Sequence, residues 1–332
     1  MLGKVLSFPR YKLITLPTPM EKAPALSKEL GMELWIKRDD AVELAMGGNK
    51  ARKLEFILGH IVPQGYDSII TAGAYISNCV RLAIAAANKA GLESYVVVYK
   101  HLPDLPLIMQ GNMLLNKILG GNIIIAEKRE QLDTLMMKTF EELKAKGKRP
   151  YIIPIGAATE HGTLGYVLAA LEILQQSLDR GFKPKYVVHS TGSVATQVGL
   201  ILGFKILGMD DVKVIGIASG GAAKALKERG LALAKSTNEL LGANINVTPD
   251  DFTIYDQYSF GGYGVITKEV VEVIARVAKK EGILLDPVYT AKAMYGLMDL
   301  AQKGEIKGPA IFVHTGGGPI LFQHADDLLK FM

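Results

Sequence analysis

The chain has 332 residues, 49% hydrophobic and 21% charged, a balance that excludes long disorder or a coiled coil and supplies a sizeable core for one or two domains. Its 38 Lys and Arg against 33 Asp and Glu give a net charge of +5 without any block of like charge, which argues against a nucleic-acid arm. Cys79 is the only cysteine, so an internal disulfide framework and a cysteine-rich zinc site are both ruled out, and a reducing cytoplasm is expected.

In chain order, Met1 to Pro19 sets Lys4, Arg10 and Lys12 between short apolar pieces and lacks the continuous apolar run of a signal peptide; nothing later approaches a membrane span. From Ser68 onward, short β-branched runs alternate with longer amphipathic ones. Strands are expected at Ser68–Ala72, Tyr95–Tyr99, Asn122–Ile125, Tyr151–Ile153, Tyr186–His189, Val212–Ala218 and Ala310–His314. Helices are expected at Asn78–Ala90, Glu130–Lys146, about Thr163–Leu178 and Val198–Leu207. The alternation predicts an α/β fold whose parallel sheets are covered on both faces. Composition marks no linker, repeat or domain boundary.

Several familiar catalytic signatures are missing: the phosphate loop ending in Gly-Lys-Ser/Thr, the His-Glu-x-x-His helix and the Gly-x-Ser-x-Gly elbow. The six histidines lack close pairing, so no metal site is expected. What stands out is a series of small-residue turns between strand and helix, which parallel sheets gather at the carboxyl edge where ligands bind. Gly47-Gly48-Asn49-Lys50-Ala51-Arg52-Lys53 puts three cations into the first turn of a helix ending near Ile61, against its macrodipole. That placement reads as a solvated basic face, as an anion site, or as a lysine of lowered pKa used as a nucleophile.

Ser77 and Asn78 stand where the next helix begins, either as caps or as donors to a carboxylate; Cys79 beside them reads as a small buried side chain. Ser190-Thr191-Gly192-Ser193-Val194-Ala195-Thr196 follows a strand and opens an apolar helix. It is either a phosphate cradle or a turn in which Ser193 or Thr196 satisfies the first amides. Ser219 to Lys224 has the same look, and one of the two need be no more than a turn. In the last third, Tyr263 within Tyr258 to Gly264 and Tyr289 within Asp286 to Lys292 read as acids, bases, stacking groups or amphipathic packing, glycines allow close backbone approach to a ligand, and His314 to Gly318 forms another glycine-rich segment.

Taken in order, these segments resemble the pyridoxal-phosphate-dependent family containing 1-aminocyclopropane-1-carboxylate deaminase and D-cysteine desulfhydrase. The resemblance runs from about Phe8 to the C-terminus, most specifically at Ile36 to Asp40, Gly47 to Phe56, Ser77-Asn78, Gly282 to Tyr289 and His314 to Gly317. It implies the tryptophan synthase beta-like fold (fold type II), with two parallel-sheet domains and the cofactor between them. The large cofactor-binding domain comprises residues 1–50 and 164–332, the small domain 51–163. It also implies a homodimer acting on a small amino acid.

Lys50 matches the lysine that carries the cofactor, and Asn49 the partner of its 3-hydroxyl, with Lys53 among the cofactor-binding residues. Gly192, Ser193, Val194, Ala195 and Thr196 match the phosphate loop; Val194 and Ala195 replace the smaller residues usual there, which a negative φ would accommodate. Ser77, Asn78 and Cys79 match the substrate site, and Tyr263 and Tyr289 the two active-site tyrosines.

Thr290 and Thr315 stand where the deaminase typically has Glu and Leu, and look desulfhydrase-like. A neutral hydroxyl by the pyridine nitrogen gives a weaker electron sink, suited to β-elimination. The resemblance therefore implies a lyase or deaminase converting D-cysteine to pyruvate, hydrogen sulfide and ammonia, with Lys50 removing the α-proton. Ile76 and Cys79 replace the Gln or His common in the family. Hydrolytic opening of 1-aminocyclopropane-1-carboxylate, serine dehydration or racemisation, and binding of an amino acid or cofactor without turnover remain the alternatives. So, more weakly, does nucleotide binding at Ser190 to Thr196.

Overall fold

The computed structural model describes residues 1–101 and 109–332. Among these residues ten strands form two sheets: β1 (Met20–Lys22), β2 (Leu34–Arg38), β3 (Ser68–Ala74), β4 (Glu93–Tyr99), β5 (Asn122–Ala126), β6 (Pro150–Ile153), β7 (Tyr186–Thr191), β8 (Lys213–Ala218), β9 (Thr253–Tyr255) and β10 (Ala310–His314). The four-stranded sheet runs β5-β4-β3-β6 and is wholly parallel. The six-stranded sheet runs β1-β2-β10-β7-β8-β9, so strands from near both chain ends lie side by side at its centre. Its edge strand β1 is antiparallel to β2, a departure from the all-parallel expectation. β1, β2 and β9 also lie outside the expected strands. β1 and β9 have only three residues each, and β2 carries Lys37 and Arg38, too short or too charged to read as buried runs.

The helices that matter for the site are, in chain order, α1 (Leu2–Ser7), α2 (Pro24–Leu30), α3 (Lys50–Ile61), α4 (Asn78–Lys89), α5 (Gly111–Ile118), α6 (Leu132–Ala145), α7 (Glu160–Asp179), α8 (Ala195–Ile206), α9 (Ala223–Leu241), α10 (Lys268–Glu281) and α11 (Thr290–Gln302). One face of the six-stranded sheet packs on α7, α8 and α9 through Val187, Leu200 and Phe204; the other packs on α2, α10 and α11 through Ile36, Val188 and Met294. Both faces are covered, which is why β7 and β10 open with apolar runs. Close docking of α8 on α7 depends on two helical glycines. A Cβ at Gly199 would sit 2.4 Å from that of Tyr166, and one at Gly203 2.5 Å from that of Ala170.

A buried ionic cluster fastens α3 to the six-stranded sheet. Arg52 donates to both carboxylate oxygens of Asp39 at 2.9 Å and to both of Glu172 at 2.8 Å; Lys37 Nζ reaches Glu172 at 3.0 Å. Burial pushes the Asp39 carboxyl up, but Arg52, Lys37 and the Tyr166 hydroxyl outweigh it and hold it below the usual carboxylate range. Removing one member of such a cluster leaves an uncompensated buried charge, at a cost of about 3–5 kcal/mol. Among the described residues no helix is long and apolar enough to cross a membrane.

Candidate functional site

The carboxyl ends of β3, β4, β7, β8 and β10 open on a single cavity of about 970 Å³, lined by groups from both sheets. This is where parallel α/β sheets bind ligands. Asn49, Lys50, Ser77, Asn78, Cys79, Gly192, Ser193, Val194, Thr196, Tyr263, Tyr289 and Thr315 all stand on its wall. Lys53, Ala195 and Thr290 lie behind that wall, fully buried.

Lys50 begins α3 after four consecutive residues with positive φ: Ala45 (41°), Met46 (66°), Gly47 (73°) and Gly48 (130°). At Gly47 a Cβ would fall 1.9 Å from the Asp40 carbonyl oxygen, so only glycine fits. The turn is pinned by Gly48 N–H donating to Asp39 O and Asn49 N–H to Thr315 O, both at 3.0 Å. Lys50 Nζ donates to Asn49 Oδ1 at 2.8 Å and meets no described carboxylate; burial lowers its pKa. Lys53 is lowered further, by burial and then by Lys50. Of the three first-turn cations, Arg52 turns away into the ionic cluster, so the segment is not a solvated basic face.

The two glycine turns separate by their caps. At the start of α9 the Asp256 carboxylate accepts from Ala223 N–H at 2.8 Å, which places a negative charge there already. At the start of α8 no described side chain caps the helix, contrary to the reading of Ser193 or Thr196 as caps. Ser193 Oγ leans toward Gly156 O at 3.4 Å, and Thr196 Oγ1 accepts from Asn49 Nδ2 at 3.0 Å. The N–H groups of Ser193, Val194 and Thr196 find no acceptor among the described residues, and the buried hydroxyls of Ser190 and Thr191 have no partner either. An open helix start with spare donors is an anion cradle. Val194 caps it at φ 61°, so the negative φ expected to accommodate its side chain is not what the fold uses. A β-branched residue in the left-handed region is strained, and such strain clusters where ligands are clamped.

Across the cavity, Ser77 is the N-cap of α4, its Oγ accepting from Val80 N–H at 3.3 Å. Asn78 follows on the cavity wall. Cys79 is a buried side chain whose thiol burial pushes up, as expected of a packing group rather than a nucleophile. The Tyr263 and Tyr289 hydroxyls are hydrogen-bonded to each other, and burial raises both. Thr290, expected beside the cofactor ring, is committed elsewhere. Its Oγ1 donates to Asp286 Oδ1 at 2.7 Å, and Asp286 also accepts from the N–H groups of Val288, Tyr289 and Thr290. Thr290 therefore braces the turn that carries Tyr289, and of the two threonines only Thr315 reaches the cavity.

Tyr99, Arg129, Glu160 and Arg229 also line the cavity without having been singled out in the sequence. They come from separate elements and sit in no local motif that could have marked them. No cluster of three or more His, Cys, Asp or Glu suited to a metal occurs among the described residues.

Comparison with known proteins gives a consistent result. Residues 11–316 match the family described as pyridoxal-phosphate dependent enzyme. A Pyrococcus abyssi protein provisionally named 1-aminocyclopropane-1-carboxylate deaminase is 42% identical over 98% of this chain and 96% of its own. A Salmonella paratyphi C D-cysteine desulfhydrase is 39% identical over 96% of each. The crystal structure of an ACC deaminase homologue superposes with a TM-score of 0.92 at 42% identity, covering 100% of this chain and 98% of that one.

Proposed function

The chain belongs to the family of pyridoxal-phosphate dependent enzymes, and from that premise we propose that it catalyses β-elimination and deamination of a small amino acid. D-cysteine is the first candidate, yielding pyruvate, hydrogen sulfide and ammonia. The residues present suit the cofactor. The uncapped start of α8 and the spare Ser190 and Thr191 hydroxyls offer donors to a phosphate, and Lys50 offers an amine of lowered pKa in the same cavity. In this reading Gly192, Ser193, Val194, Ala195 and Thr196 would hold the phosphate, with Lys53 buried behind them. Asn49 and Thr315 would hold the ring. Bound there, the cofactor supplies the electron sink that makes an amino acid's α-proton removable.

The remaining work falls to the chain itself. Burial shifts Lys50 toward the free amine, the form that accepts the α-proton at Nζ, and Asn49 Oδ1 holds that Nζ at 2.8 Å. Ser77 and Asn78 take the substrate carboxylate, with Cys79 beside them. Tyr263 and Tyr289, kept as neutral phenols, donate a proton to the departing β-substituent. With Thr290 withdrawn to Asp286, Thr315 would offer the cofactor a neutral hydroxyl, which suits elimination better than ring opening.

One observation carries the proposal: Lys50, Asn78 and the tyrosine pair share a single cavity with the open start of α8. The test is to incubate the cofactor-loaded protein with D-cysteine, L-cysteine, D-serine and 1-aminocyclopropane-1-carboxylate. Pyruvate and sulfide from D-cysteine are expected. No 2-oxo acid from any of the four refutes the proposal. Deamination of 1-aminocyclopropane-1-carboxylate is the second reading, favoured by the names of the Pyrococcus relative and the solved homologue, and its 2-oxobutanoate appears in the same assay. The proposal keeps the division into residues 1–50 with 164–332 and 51–163, and a cytoplasmic homodimer.

A further inference from the structure

Arg81 is a fully buried arginine on α4, one turn beyond Asn78, and no described carboxylate lies within ion-pairing distance of it. Its partners are neutral. Nη1 donates to Ala45 O at 2.7 Å and Nη2 to Gly47 O at 2.9 Å, the carbonyls of the positive-φ stretch that leads into Lys50. Nη2 also lies 3.5 Å from Asn78 Oδ1, and Nε has no partner among the described residues. Burial pulls this guanidinium down to about 10 with no opposing charge to offset it. The contrast with Arg52 is sharp: that buried arginine is held by two carboxylates. A buried cation without a counter-charge is costly, and the cost is relieved when an anion arrives nearby.

A second observation points the same way. Asn112, wholly buried on α5, donates Nδ2 to Ile76 O at 2.8 Å and to Asn78 Oδ1 at 2.9 Å. With Arg81 on one side and Asn112 on the other, the oxygen of the Asn78 amide is occupied. The amide is thereby locked with its NH₂ as the group left for the cavity, a donor rather than an acceptor.

We infer that Arg81 and Asn112 are positioning residues that preset Asn78 as a carboxylate donor, and that Arg81 supplies the uncompensated positive charge which the substrate's α-carboxylate neutralises. This rests on the proposed reading of the cavity as an amino-acid site and deepens it. Selection for an α-carboxylate then resides in a cation the substrate does not touch, acting through an amide it does touch.

The test uses the cofactor-loaded protein and two probes that lack a leaving group, D-alanine and its carboxylate-free analogue ethylamine, with binding read from the shift in cofactor absorbance. Arg81→Met should weaken D-alanine at least tenfold and ethylamine less than threefold, with Arg81→Lys recovering part of the loss. Asn112→Leu, which leaves the Ala45 and Gly47 contacts intact, should weaken D-alanine selectively as well. Equal weakening of acid and amine in both variants would show that Arg81 merely braces the loop, overturning its charge role while leaving the amino-acid reading intact. Wild-type protein that holds cofactor yet binds neither D-alanine nor any of the four candidate substrates would overturn that reading and the inference with it.

Discussion

Replacing Arg52 by methionine tests whether the buried ionic cluster holds the lysine-bearing helix. The substitution roughly preserves volume but strands Asp39 and Glu172, both shielded from solvent, with only Lys37 as a cation. The expected loss is about 3–5 kcal/mol. At about 2.1 cal/mol/K per residue, a chain of 332 residues has an unfolding entropy near 0.7 kcal/mol/K, so the midpoint should fall by about 4–7 °C. The exposed pair Lys183–Asp211 is the control, since solvent screens it and Lys183→Met should leave the midpoint nearly unchanged.

The pH dependence has a definite sign. Burial raises Glu172 and Asp39, and Arg52 more than reverses this, so both sit below their usual values. The stability they contribute is present above the ordinary carboxylate range and is lost as pH falls through their lowered values. The gap between wild type and Arg52→Met should therefore be full near pH 7 and close below about pH 4, where the stranded carboxylates are protonated. Differential scanning fluorimetry across that range reads it. A variant within about 1 kcal/mol of wild type at pH 7, or a gap independent of pH, would refute the reasoning.

Three further outcomes are expected. Lys50→Ala should abolish 2-oxo acid formation and the absorbance near roughly 410–430 nm of a lysine-bound cofactor, and a variant keeping both would end the assignment of Lys50. Gly156→Ala puts a Cβ 2.3 Å from that of Ser193 at φ 75°, so it should push the α8 turn aside and lower cofactor affinity at least tenfold by equilibrium dialysis; unchanged affinity would separate that turn from the cofactor. Lys292 ties α11 to the loop before Tyr263 through Ser259 O and Gly262 O, and burial lowers it to about 8. Between that value and the ordinary 10.5 the unfolded chain binds the extra proton, so this group's share of stability should improve as pH rises through 8. Denaturant midpoints from pH 7.5 to 10 should show Lys292→Met lacking that gain, and identical slopes would refute it.

Much of this protein was legible in one dimension. Strands buried on both faces, such as β7 and β10, open with apolar runs, and the turns at Lys50, Ser77 and Ser190 to Thr196 announce themselves through small residues before a helix. Local composition reports local structure, and burial leaves its mark on the residues buried. What the sequence could not show are pairings between distant groups. Arg52 and Glu172 are 120 residues apart, and that contact decides that Arg52 leaves the site while Lys50 and Lys53 stay. Asp256, 33 residues past Ala223, closes one helix start, while no described side chain closes that of α8. Asn112 and Arg81 orient an amide through contacts that only the packed helices α4 and α5 create. Charge partners are chosen by proximity after folding, so the elements were written in the sequence, but which cations lack counter-ions, and hence where an anion belongs, was decided by the tertiary structure.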